Sequence, residues 1–343
     1  VLAFAAALLA SAVNADDAVP VTTAPWQEAV VSVSDLDRSA RFFMEIGGYD
    51  TKWRGAMHPT ELAAWGLPAG AIGEVLVIGA TGQDGGLVRL VRFDDAGRKV
   101  PTRPGARAWD TGCYFSLMVR MKDMPVIYDD AIALGWWTET PMAYLEFGAS
   151  RLNIMVFRGP DGVQVQGYER LSPPLPDAIP AFDRMTAPFN IMQMVRDRDA
   201  AYAFFRDVLG FDTFFLGEPT TSPTPEINPL GIPLSLTPTV PYRAGIVFPV
   251  PGEFGRMEMI EIMGIDGQDY ADRCNAPNLG ILAVRFQVRD VDEAKAMLEE
   301  RDWPIHSPVV DATVQPYGPL QLFAVKTPDG ANIQFYAPAP DAD

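Results

Sequence analysis

Val33-Ser34-Asp35-Leu36-Asp37 ends a run of alternating apolar residues and opens a helix-like run. The chain repeats that turn three more times, as Met121-Lys122-Asp123-Met124, Val195-Arg196-Asp197-Arg198-Asp199 and Val288-Arg289-Asp290-Val291-Asp292. In each copy the first aspartate stands where a helix N-cap is wanted, because its carboxylate can accept the free N–H groups of the first turn. After Asp35, the residues Ala40, Phe42, Phe43 and Ile46 form an apolar face and Gly47-Gly48 stops the helix. After Asp197, the residues Ala201, Phe204, Phe205 and Val208 do the same and Gly210 ends it. Asp290 leads through Ala294, Met297 and Leu298 to Trp303. Asp123 heads the most worn copy, through Ile127, Ala131 and Leu134 to Gly135. Asp35 and Asp197 lie 162 residues apart and Asp123 and Asp290 lie 167 apart, so a two-module half has been duplicated.

β-like runs follow each helix, among them 75–78 with 87–93, 152–157 with 163–168, 257–263, and 320–325 with 332–336. Two of the later hairpins share one turn, Pro160-Asp161-Gly162 and Pro328-Asp329-Gly330, with the Asp-Gly bend that favours a tight reversal. Each unit therefore reads strand–helix–strand–strand–strand. The fold expected is α+β: two domains, over 20–172 and 183–338, each of two βαβββ modules forming a half-open barrel. The proline-rich stretch 171–180 marks a linker between them, placed at 173–182. A second proline-rich segment, 219–241, has its counterpart at 59–70. The two share Glu61 with Gly66-Leu67-Pro68 and Glu226 with Gly231-Ile232-Pro233, a pairing expected of pocket lids or edges.

The 343 residues carry 27 basic and 44 acidic side chains, a net charge of −17 that argues against a nucleic-acid partner. A hydrophobic fraction of 48% is ample for two cores. Residues 1–15 are apolar and end in Ala12-Val13-Asn14-Ala15, which matches a signal-peptidase site before Asp16. Export to the periplasm or beyond is expected, with no membrane association once that segment is removed. Cys113 and Cys274 are free to pair in an oxidising compartment or to stay as two buried thiols. Exposed edges on half-open barrels leave a homodimer open.

The pattern Val33-Ser34-Asp35-Leu36-Asp37-Arg38-Ser39 with Phe42-Phe43 and a glycine-ended helix resembles the vicinal-oxygen-chelate superfamily, which includes glyoxalase I, extradiol dioxygenases and bleomycin-binding proteins. The resemblance extends over nearly the whole chain as four βαβββ modules. In metal-using members it implies a histidine seven residues before the marker aspartate and a glutamate on the last strand, a donor set that suits a divalent ion. Here the first positions hold Glu28, Ser116, Asn190 and Ala283, and the last-strand positions hold Arg92, Gln166, Glu261 and Gln334. The two histidines, His58 and His306, fall elsewhere. The sequential barrels would then enclose Glu28, Arg92, Ser116 and Gln166 in the first and Asn190, Glu261, Ala283 and Gln334 in the second. An inward Glu28–Arg92 ion pair would take the place of a metal. No cofactor is expected, with a hard divalent cation on Glu261 or Glu28 as the alternative.

Glu261 is the candidate base or acid, because a carboxylate inside an apolar barrel has its pKa raised by desolvation. A register shift would turn Glu258 inward instead. His58, in the loop of the first module, is a second candidate for proton transfer. Asn190 and Gln334 would orient or polarise a ligand, and Met192 and Met194, alternating beside Asn190, would line an adaptable pocket for a planar molecule. Glu28, Arg92 and Gln166 complete the ligand-facing set. Three functions follow from this: an exported enzyme acting on a small hydrophobic or aromatic molecule by acid–base isomerisation or elimination without a metal triad, a non-catalytic binding protein, or a divalent-metal dioxygenase or glyoxalase-like enzyme.

Overall fold

The structure is a computed structural model and describes residues 18–105 and 107–340; the apolar segment 1–15 and the signal-peptidase site expected after it lie outside them. The first module holds β1 (Glu28–Ser32), α1 (Leu36–Arg41), β2 (Tyr49–Ala56), α2 (Pro59–Ala64), β3 (Ile72–Ala80) and β4 (Leu87–Asp94). The second holds β5 (Tyr114–Arg120), α3 (Met124–Ala133), β6 (Trp137–Thr138), β7 (Ala143–Phe147), β8 (Ser150–Arg158) and β9 (Gln164–Ser172). The third holds β10 (Asn190–Met194), α4 (Arg198–Ala203), β11 (Asp212–Leu216), β12 (Tyr242–Phe248) and β13 (Arg256–Ile262). The fourth holds β14 (Gly280–Gln287), α5 (Val291–Glu300), β15 (Ile305–Val314), β16 (Gly318–Lys326) and β17 (Asn332–Pro338). Among the described residues no helix is long and apolar enough to cross a membrane.

The marker aspartates cap as their positions require. Asp35 accepts from the Arg38 N–H at 3.0 Å, Asp197 from Asp199 and Ala200 at 2.9 and 3.1 Å, and Asp290 from Glu293 at 2.9 Å. Asp123 instead takes a left-handed backbone (φ 55°) and makes no side-chain cap, in keeping with its worn sequence. Both α1 and α4 run on into a single wider π-type turn, Phe42–Ile46 and Phe204–Val208, so that two consecutive phenylalanines are buried in each. Phe42 stacks on Trp136 after α3 at 4.1 Å between ring centres, and Phe204 packs on Trp303 after α5 at 4.5 Å. The helical layer thus joins the first module to the second and the third to the fourth, twice by the same device.

The PDG turns complete that joint. Asp161 accepts from the Ser34 N–H at 2.7 Å and from its hydroxyl at 2.9 Å, and Asp329 accepts from the Arg196 N–H at 3.0 Å. Each turn therefore docks its carboxylate on the marker turn of the preceding module.

The sheets pair differently. One has eight strands in the order β15-β16-β17-β14-β1-β4-β3-β2, and the other has nine, β11-β12-β13-β10-β5-β9-β8-β6 with β7 beside β8. β1 runs antiparallel to β14, and β10 antiparallel to β5. The barrels therefore combine the first module with the fourth and the second with the third, which corrects the expectation of sequential pairing within 20–172 and 183–338. The four first strands are short, buried and equally able to lie side by side, so their pattern does not name a partner. The stretch 171–180 accordingly runs between β9 and β10 of one sheet. The fold is α+β, two similar half-open sheets each built of repeated β-α-β-β-β units.

Cys113, which leads into β5, is joined to Cys274, ahead of β14, with 5.2 Å between their Cα atoms. This bond joins the chain just before the nine-stranded sheet's β5 to the segment ahead of the eight-stranded sheet's β14.

Candidate functional site

The two sheet interiors are filled in opposite ways. In the eight-stranded sheet, Arg89 and Arg285 donate to one oxygen of Glu28 at 2.7 and 2.8 Å, and Tyr317 donates to the other at 2.8 Å. Arg285 also donates to Glu61 at 3.0 Å and to Gln334 at 2.7 Å. Glu61 comes from α2, whose first turn is capped by His58, so the 59–70 loop is a plug over this interior. Glu28, Arg89, Glu61, Arg285 and Gln334 are all buried. Burial alone pushes the Glu28 carboxyl up, but Arg89 and Arg285 more than offset it and hold its pKa below the ordinary value. Two carboxylates and two guanidiniums close this space with little room for a ligand.

The expected Glu28–Arg92 pair is thus corrected to Glu28–Arg89. Arg92 lies on the outer face and pairs with Glu74 and Asp94. Gln334 is spent on Arg285, far from Asn190. His58 is a helix cap, its ring nitrogen 2.8 Å from the Thr60 hydroxyl.

The nine-stranded sheet surrounds a cavity of about 470 Å³. Its wall is mostly apolar, with Met192, Ile154, Ile260 and Phe214 from the strands and Phe189 just ahead of β10. Residues 227–230 of the second proline-rich segment form one edge, as its kinship with 59–70 implied. Met194 is buried in the same apolar cluster but does not line the cavity, while Met257 and Met259 belong to the core on the other face of the sheet.

A short polar group interrupts this lining. Asn190 donates through Nδ2 to Glu258 Oε2 at 2.7 Å, and its own Oδ1 is buried without a partner. Gln166 accepts from Ser116 at 3.3 Å and donates to the Tyr168 hydroxyl at 2.8 Å. Glu258 is 7% exposed. Desolvation pushes its carboxyl up to about 7, against the opposing pull of the Asn190 hydrogen bond and the Arg256 charge. Tyr168, partly buried, has its phenol pushed well above its ordinary value by desolvation and stays protonated at neutral pH; its hydroxyl donates only to the Met118 sulfur at 3.8 Å, a weak bond that a ligand oxygen can replace.

Glu261, the expected base, is on the opposite side of β13. It accepts from Arg243 at 2.8 Å and from the backbone N–H of Arg198 at 2.9 Å, and so braces the start of α4. Positions 258 and 261 have opposite parity on a strand, so only one can face inward. The same three-residue displacement separates Arg89 from Arg92. Val30 stands opposite Arg89 between β1 and β4 as Met192 stands opposite Glu258 between β10 and β13, so Arg89 and Glu258 occupy equivalent places.

These residues do not suit the divalent ion that the sequence resemblance implies. At the open site Ser116, Gln166, Asn190 and Glu258 provide one carboxylate and no imidazole, and Asn190 turns its N–H toward that carboxylate. At the closed site Glu28 already faces two cations. Among the described residues no three His, Cys, Asp or Glu side chains gather in a way that could hold a metal. What the open site can offer is a base that is half ionised near neutral pH, beside hydrogen-bond donors, in an apolar cavity.

The raised Glu258 pKa also makes a stability prediction. The native state holds this proton more tightly than the unfolded chain, whose carboxyl titrates near 4.5, so the native state loses relative stability as pH rises from there through about 7. The loss is about 3 kcal/mol once both states are ionised. Glu258→Gln, which keeps an acceptor for Asn190, should match the parent near pH 5 and exceed it at pH 8 in urea unfolding. A difference that does not widen with pH would show that Glu258 titrates normally.

A scan of protein families matches residues 189–335 to the Glyoxalase/Bleomycin resistance protein/Dioxygenase superfamily. No curated protein matches. Among solved structures, glyoxalase I from Zea mays aligns with a TM-score of 0.59 at 13% identity, covering 91% of this chain and 92% of that one. A putative dioxygenase from Bacillus subtilis aligns with a TM-score of 0.54 at 10% identity, covering 92% and 86%. At such identities these likenesses concern the fold alone. Residues 189–335, the third module and most of the fourth, thus match the Glyoxalase/Bleomycin resistance protein/Dioxygenase superfamily, and the whole chain shares the tandem-module fold of these solved structures.

Proposed function

We propose that the protein is an enzyme that moves a proton next to a carbonyl, in an isomerisation or elimination, on a small apolar or aromatic molecule held in the nine-stranded sheet. The observation that carries this reading is Glu258, a carboxylate of pKa about 7 lining an apolar cavity and held by Asn190. Glu258 takes the proton from carbon and becomes the neutral acid. The electron pair passes into an enolate, whose oxygen a donor such as Tyr168 stabilises. The acid form of Glu258, after exchange of its proton with solvent, returns a proton to the same or another carbon, or a leaving group departs with the pair.

Work outside the cytoplasm is part of the proposal. It is supported by the signal-like segment 1–15 and by the Cys113–Cys274 bond, which persists in an oxidising compartment.

The test is hydrogen exchange in D2O. A panel of aryl ketones with an enolisable CH2, among them 3-benzoylpropanoate and its amide, is incubated with the protein and followed by NMR. The parent should catalyse loss of the α-proton signal, and Glu258→Gln should slow it by roughly 10²–10⁴-fold while still binding the compound. Binding without exchange would make this a sequestering protein. Exchange that survives Glu258→Gln would put the base elsewhere.

A further inference from the structure

We infer that the molecule this cavity takes is an organic acid, an apolar body with a carboxylate that docks among Arg120, Arg170 and Arg256. The inference rests on reading this cavity as the working site. The charged side chains lining it are those three arginines with Glu253 and Glu258, three cations against two carboxylates in a chain whose net charge is −17. Glu253 is the shared partner of two of them: Arg120 donates to it at 2.7 Å, and Arg256 lies 3.5 Å from the same oxygen.

One carboxylate does not satisfy three forks. Arg120 Nη1, Arg170 Nε and Arg256 Nε are buried without a hydrogen-bond partner. Arg120 is only 6% exposed as a residue. Leaving such N–H groups unmade is costly, and a guanidinium fork matches a carboxylate in geometry and charge. The forks are also held in place in advance. Arg120 lies over the Phe189 ring at 4.2 Å and Arg256 over the Phe214 ring at 3.9 Å. Burial lowers the pKa of all three, that of Arg120 to about 10, so they remain cations at neutral pH.

Position along the strands adds a length. Arg256 and Glu258 are two residues apart on one face of β13, and Arg256 stands opposite Asn190 on β10. Two residues of strand span about 7 Å. The acid group and the reacting carbon are therefore separated by a few bonds, and the aromatic or aliphatic body lies against Met192, Phe189 and Ile260.

The experiment compares phenylalkanoates from phenylacetate to 6-phenylhexanoate, and 3-benzoylpropanoate, each with its own neutral amide, by calorimetry or ligand-detected NMR. At least one acid should bind roughly tenfold to hundredfold more tightly than its amide. General electrostatics works the other way, since a protein of this charge repels free anions. Arg170→Gln, at the less buried arginine, should reduce the preference, and Arg120→Gln should abolish it. Glu258→Gln should keep or raise it, because the base is not what reads the acid. If no acid binds better than its amide in the parent protein, the inference fails, whatever the exchange assay gives. An acid preference without proton exchange would instead leave it standing and overturn the enzymatic reading.

Discussion

Glu28→Ala should destabilise the folded chain by about 3–5 kcal/mol, because it leaves Arg89 and Arg285 buried without their shared carboxylate. Neither guanidinium can reach water: Arg89 is fully buried, and Arg285 is 2% exposed. Glu61 alone would then face both. Urea unfolding at neutral pH reads the loss directly. In the parent, the depressed Glu28 pKa contributes stability that is present above its unfolded value of 4.5 and is lost as pH falls through the lower native value. The parent and Glu28→Ala should therefore converge under acid. Replacing the whole cluster with apolar side chains of similar size (Glu28→Leu, Glu61→Leu, Arg89→Met, Arg285→Met) should recover most of the stability, since no charge is left stranded. A single variant that unfolds like the parent would mean that this interior is hydrated and open. The closed interior would then be a second candidate pocket.

The contrast between the two interiors shows which parts of this molecule local sequence can express. The aspartate-headed turns declared the modules, since N-capping is a short-range act that Asp35, Asp197 and Asp290 perform alone. Counting back from them placed Glu28, Ser116 and Asn190 in sheet interiors. Gln166 and Gln334 were also placed there, each on the strand that follows a PDG turn, where the tight bend holds the register. The third-module hairpin has no such bend, so the pattern does not separate Glu261 from Glu258, and in the first module it points to Arg92 where the structure turns Arg89 inward. Module pairing was not legible, because four interchangeable apolar strands carry no address. The arginine cluster was not legible either. Arg120, Arg170 and Arg256 come from three separate strands, and only the sheet order brings them to one end of the cavity.

Breaking the Cys113–Cys274 bond should cost up to about 5 kcal/mol, because it releases a loop with a sequence separation of 161 residues in the unfolded chain. The native structure is closely fitted around the bond. Thr111 bridges to Asp269, the Gln268 N–H donates to the buried Asp110 carboxylate at 2.9 Å, and the Tyr270 N–H donates to the Thr111 carbonyl at 2.9 Å. Gly112, at φ 88°, lies so near Ala271 that a Cβ there would come within 2.4 Å of its backbone nitrogen. These contacts persist without the sulfur bond, so Cys113→Ala with Cys274→Ala should fold to the same structure and melt at a lower temperature. The loss appears as a lower urea midpoint. A loss below about 1 kcal/mol would mean that the thiols are reduced in the working protein or that the unfolded chain is already held together elsewhere. The number of transitions is informative as well. Each half of the chain contributes a module to each sheet, so the cross-link is not what couples the sheets. The bond-free variant should still unfold in one step, and two steps would mean that the sheets are held to each other chiefly by the sulfur bridge.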